Sequence, residues 1–149
     1  MTLVQWLNRV LKTVVRDGQC VAFFRQYIQD VWKVPAFEGV GATNGAKEIY
    51  NWHNRLLTQA KYSNRIAYTG SNRPNPGDVV IFDSWDKNKF GHIGVFVCML
   101  PNGNFMLASQ NGLEVISKEN GGDGKTATGS RLEEWGWNRV LGWLEKKGV

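Results

Sequence analysis

A chain of 149 residues with 42% hydrophobic content fits one compact domain with a real core and excludes disorder. Its net charge of +5 comes from 18 basic and 13 acidic residues with no basic run longer than Lys146-Lys147, which argues against a nucleic-acid surface. That mild positive field suits at most an anionic partner.

In chain order, residues 1–15 read as an amphipathic helix, with Leu3, Trp6, Leu7, Val10, Leu11 and Val14 on one stripe. Arg9 and Lys12 interrupt it, so it lacks the apolar core of a signal peptide. Asp17 and Gly18 supply capping and breaking chemistry. A second helix opens at Cys20, carries Val21, Phe24, Ile28, Val31 and Trp32 on its apolar face, and ends near Val34-Pro35. Residues 37–44 form a glycine-rich loop. A third helix is expected over residues 46–57, with Ile49, Trp52 and Leu56 inward and His53 on the surface. Residues 73–78 are a turn by composition, and residues 79–82 a buried strand. After a polar loop, residues 93–100 form a strand. Residues 101–104 give a hairpin signal, and residues 105–111 return as the next strand. Residues 113–116 read as a fourth strand, residues 117–130 as a glycine-rich mobile loop, and residues 140–144 as the strand that closes the sheet. No segment approaches the ~18 apolar residues of a membrane span. The whole reads as one α+β domain over residues 1–149.

Two cysteines make no disulfide framework, and both are expected as thiols. A thiol in the first turn of a helix sits near unpaired backbone N–H groups whose field favours thiolate, the attacking form in acyl transfer. Cys20 occupies that position. Such a nucleophile needs a base, and the base needs a group that holds its ring. His92 follows Gly91 at the start of a strand. The hairpin places a third residue. With Asn102 and Gly103 as the turn centre, Gly94 faces Asn111, and Asn111 is a diagonal neighbour of His92. With Pro101 and Asn102 central, Asn111 lies opposite His92. A three-residue loop would put Asn111 on the wrong face. Ser109 shares the His92 face in the first two registers but is expected further away. Cys98 lies about 20 Å along the strand from His92 and is expected in the core. No zinc spacing, calcium loop or phosphate loop is present, so neither metal nor cofactor is expected.

Gly18-Gln19-Cys20 at a helix start, Asn75-Pro76-Gly77-Asp78-Val79-Val80 before a strand, Gly91-His92-Ile93-Gly94-Val95, and Ser109-Gln110-Asn111 resemble the CHAP domain. The closing Arg139-Val140-Leu141-Gly142-Trp143-Leu144 looks like that family's last strand. This is the cysteine, histidine-dependent amidohydrolase/peptidase module, and the chain most resembles that of a bacteriophage endolysin. The resemblance implies a papain-like fold with N-terminal helices packed on an antiparallel sheet. It implies cleavage of a peptidoglycan amide bond, as an endopeptidase or an N-acetylmuramoyl-L-alanine amidase, by a monomer that does not insert in membranes. Synthesis in a host cytoplasm and action at the cell wall follow. It carries the nucleophile role to Cys20 and the base role to His92. Many relatives have glutamate where Ser109 stands, so the third role goes to Asn111. Gln19 is a candidate for the oxyanion site. Trp85 and Trp52 are candidates for the substrate groove. Some relatives bind calcium near the cysteine, but Thr13, Val15 and Ala22 stand in that vicinity here. A non-catalytic wall-binding module on the same fold is the rival reading.

Overall fold

The computed structural model describes residues 1–16, 19–35, 45–51, 53, 61–86, 88–110 and 129–148. Helix α1, Leu3–Val10, starts on a capping box in which Thr2 Oγ1 accepts the Gln5 N–H and Gln5 Oε1 accepts the Thr2 N–H. Its apolar stripe buries Trp6, Leu7 and Val10. Val14, expected on that stripe, is 58% exposed. The helix stops at Leu11, Lys12 takes a positive φ of 69°, and Leu11 instead bridges to Ser130.

Helix α2, Cys20–Asp30, buries Ala22, Phe23, Phe24, Tyr27 and Ile28. It ends earlier than residue 34, because Lys33 adopts a φ of 63° that a right-handed helix does not admit. The Trp6 indole N–H donates to Asp30 Oδ2 at 2.8 Å, pinning α1 to the last turn of α2. Helix α3, Ala46–Asn51, buries Ala46 and Ile49. The expected extension to residue 57 lies largely outside the described residues.

The six strands are β1 (Ser63–Ala67), β2 (Val79–Phe82), β3 (His92–Met99), β4 (Phe105–Ser109), β5 (Arg131–Trp135) and β6 (Val140–Lys146). They form one antiparallel sheet in the order β1-β6-β2-β3-β4-β5. The architecture is α+β, as the residues predict. The strand expected to close the sheet, β6, lies inside it between β1 and β2. Strands β1 and β5 were not expected, and each is an edge. The expected strand at residues 113–116 and most of the loop at 117–130 fall outside the described residues.

Alternation along the strands divides the core between the two faces of the sheet. Val79, Ile81, Ile93, Val95 and Ala108 pack with the helices, including Phe23, Phe24 and Ile49. Val80, Phe82, Phe96, Phe105, Leu107, Trp135 and Trp143 form an aromatic cluster on the other face.

Two residues lie where their neighbours in sequence did not indicate. His53 is buried, 5% exposed, with Nε2 at 3.0 Å from Ser63 Oγ. Its polar neighbours gave no sign that β1 folds back over it. Cys98 is exposed rather than in the core. Pairing of β2 with β3 stops at Val79 and Val95, so the end of β3 continues past the layer that would cover it.

Candidate active site

Cys20 is the first residue of α2 and is half-buried against the helix-side core. The residue before it, Gln19, is the helix N-cap, with an extended backbone (φ −85°, ψ 159°) and no side-chain capping bond. The Gln19 side chain thus leaves the field of the first-turn amides, which favours an anion, directed at the start of α2. Asp17 and Gly18, expected to shape this start, lie outside the described residues.

What fixes the start of α2 is Gln110, just beyond β4 and fully buried. Its Nε2 donates to Val15 O at 2.8 Å and to Gln19 O at 3.0 Å. Its Oε1 accepts the Val15 N–H at 3.0 Å and the Ser130 hydroxyl at 3.1 Å. One amide thus satisfies buried groups on both sides of the turn into α2. The motif containing Gln110 was visible in sequence, but this role was not. Gln110→Leu should cost about 3 kcal/mol or more, because it strands several buried polar groups. Urea denaturation measures this loss.

His92 opens β3 and is completely buried. Its ring stacks on Trp135, with centroids 4.9 Å apart and planes 12° from parallel, and it lies 6.0 Å from Phe82. Nε2 is 3.0 Å from Ser109 Oγ. Nδ1 is buried and has no hydrogen-bond partner among the described residues. Burial disfavours the imidazolium and pushes the pKa down from 6.5 to about 3. The Ser109 hydroxyl is neutral, so it orients the ring without the charge that would offset desolvation.

The hairpin explains why Ser109 is the partner. Leu100 N donates to Asn104 O, and Met99 faces Phe105, so the loop is the three-residue kind. By itself this would turn the end of β4 to the wrong face. A register shift between Phe96 and Cys98 corrects it, and from there Val95 faces Ala108. Continued by one pair, Gly94 faces Ser109, which makes Ser109 the diagonal neighbour of His92. The turn centred on Pro101 and Asn102 leads to this same pairing, and the 3.0 Å contact shows that Ser109, on the diagonal, reaches the imidazole. Asn111 lies outside the described residues, as does Trp52. Ser109→Ala should cost about 1–3 kcal/mol by leaving Nε2 without its buried partner. Thermal melts of the two proteins check this.

Gly91 sets the approach of β2 to β3 immediately before His92. Its φ is +76°, and a Cβ there would lie 2.2 Å from Phe82 O. Gly91→Ala should destabilise by about 3 kcal/mol or more, through strain and steric opening of the pair. Its denaturation midpoint gives the size.

The start of β3, the end of β4 and the start of α2 share one end of the sheet. The imidazole lies on the aromatic face, whereas α2 packs on the other. Gln110 ties the residue before Cys20 to the residue after Ser109, where the two faces run out. Beside His92, Trp135 also forms a wall of an open cleft of about 470 Å³, with Phe82, Trp85 and Arg139. Trp85, a candidate for the substrate groove, lines this cleft.

Comparison with known proteins shows the family and the fold. The CHAP domain family model matches residues 12–111. The chain belongs to the CHAP domain family, whose members are typically amidohydrolases or peptidases. No curated protein matches it. The crystal structure of the wild type endolysin LysIME-EF1 is similar, with a TM-score of 0.62 at 16% sequence identity. That similarity covers 95% of this chain and 61% of the endolysin chain, and it shows the fold. No helix among the described residues is long and apolar enough to cross a membrane.

Proposed function

We propose that this chain hydrolyses an amide bond of peptidoglycan, in the stem peptide or cross-bridge, as a phage lysis enzyme acting at the bacterial wall. Cys20 is the nucleophile and His92 the base. Ser109 holds the ring, and Asn111, two residues further on, is the second polar candidate. The observation that supports this most is the state of His92. Nε2 is engaged by Ser109. Nδ1 is buried without a partner among the described residues, at the end of the sheet to which Gln110 ties the start of the Cys20 helix.

The mechanism requires Cys20 Sγ and Nδ1 to meet at this end of the sheet, because the imidazole lies on the aromatic face and α2 on the other. Sγ attacks the carbonyl carbon as its proton passes to Nδ1. The tetrahedral oxyanion is held by the Cys20 backbone N–H and the Gln19 amide. The C–N bond breaks, Nδ1 returns the proton to the leaving amine, and a thioester remains. Water, deprotonated at Nδ1, opens the thioester, releases the carboxylic acid and restores the thiol. Burial keeps the resting imidazole neutral, so the acceptor lone pair is present at neutral pH. Trp85, and Trp52 by sequence, line the groove.

Cys98 provides an internal control. It is exposed and stands near the far end of the strand that His92 opens. At pH 7 iodoacetamide should alkylate the half-buried Cys20 at least about tenfold faster than Cys98, read by peptide mass spectrometry. Faster labelling of Cys98, with walls bound but no new amines released, would establish the binding-module reading instead.

A further inference from the structure

We infer that the cleft beside His92 is a carboxylate-recognition subsite in which Arg139 reads an acidic group of the peptide being cut. The inference rests on the proposed active site and adds the chemical class of substrate that the site prefers. Trp135 is the shared wall, since its ring stacks on His92 and also lines the cleft. Trp85 meets Trp135 edge-on at 6.0 Å, and Phe82 lies 4.5 Å from it. These inclined rings make an apolar wall beside the imidazole. A peptide lying against them needs a polar group to fix its register.

Arg139 supplies that group. Its Nη1 donates to Ser84 O at 2.8 Å, and its carbonyl accepts the Asp83 N–H at 2.7 Å. Side chain and backbone are thereby both held on the cleft wall. No carboxylate among the described residues pairs with the guanidinium. An orientated guanidinium with unused donors favours a carboxylate, which it binds through parallel N–H bonds. Asp86 stands in the same cleft and is exposed, so a ligand with a second negative charge on its side is disfavoured. The subsite thus selects one carboxylate rather than a polyanion.

The test uses the full chain carrying Cys20→Ala, so that ligand is not consumed. Two soluble peptidoglycan fragments are titrated against tryptophan fluorescence: one with free stem-peptide carboxylates, and the same fragment with those groups converted to primary amides. The carboxylate form should bind about ten- to a hundredfold more tightly. Adding Arg139→Gln should remove that preference, and Arg139→Lys should restore only part of it, because an ammonium keeps the charge but not the parallel N–H pair or the Ser84 anchor. Equal binding of the two fragments, or a preference that survives Arg139→Gln, would overturn the inference. With Cys20 intact, Arg139→Gln should raise KM for the carboxylate substrate and leave its kcat unchanged. A binding preference without any hydrolysis by the intact chain would leave the subsite standing and remove the catalytic reading.

Discussion

Cys20→Ala should lower the rate of wall hydrolysis by at least about 10⁴-fold, with the fold retained. The loss is that large because no second thiol replaces it: Cys98 is near the opposite end of β3 from His92. Stability should change by no more than about 1 kcal/mol, since Cys20 is half-buried and alanine favours helix at that position. Turbidity clearing of purified walls, alongside thermal melts, gives both quantities. Clearing at the parent rate by the variant would end the nucleophile assignment.

The second large effect belongs to His92. His92→Gln should lower kcat by about 10³-fold or more, since the proton acceptor is gone. The same substitution has a pH signature in stability. The folded pKa, about 3, lies below the usual 6.5, so between these values the unfolded chain binds the extra proton. Stability contributed by the neutral ring is complete above pH 6.5 and is lost as pH falls through the window. The parent should therefore lose stability relative to His92→Gln by about 1.4 kcal/mol per pH unit below 6.5. Asp78 acts in the opposite sense. Burial, opposed by its backbone bond to Asn75 and reinforced by Glu145, raises its pKa from 3.8 to about 6. Its contribution makes the fold more stable as pH drops from about 6 towards 3.8. The difference between parent and variant isolates His92, because Asp78 is common to both. Urea titrations at a series of pH values measure that difference, and a flat difference would contradict a buried neutral imidazole.

Much of this arrangement was legible in the residues. The apolar spacing after Cys20 gave a helix beginning at that residue, and Val79-Val80-Ile81-Phe82 gave a fully buried strand. Edge strands were less visible. In β1, Ser63-Asn64-Arg65-Ile66-Ala67 carries too few apolar residues to read as a strand, and it exists through pairing with β6. In β5 the buried positions are Glu133 and Trp135, so an acidic residue interrupts the expected alternation; Glu133 pairs with Arg131 at 3.3 Å. The identity of the His92 partner turned on one extra residue in β3 near Val97, a bulge that no residue type announced. The tie made by Gln110 was hidden for a similar reason, since its partners lie 91 and 95 residues away.

Dibromoacetone carries two leaving groups on one short carbon chain and joins a thiol to a nitrogen base only when they are neighbours. Treated with one equivalent and digested, this protein should yield a single cross-linked species joining the Cys20 peptide to the His92 peptide. Recovery of the Cys20 peptide carrying the reagent alone, with the His92 peptide unmodified, would contradict the pairing of thiol and imidazole.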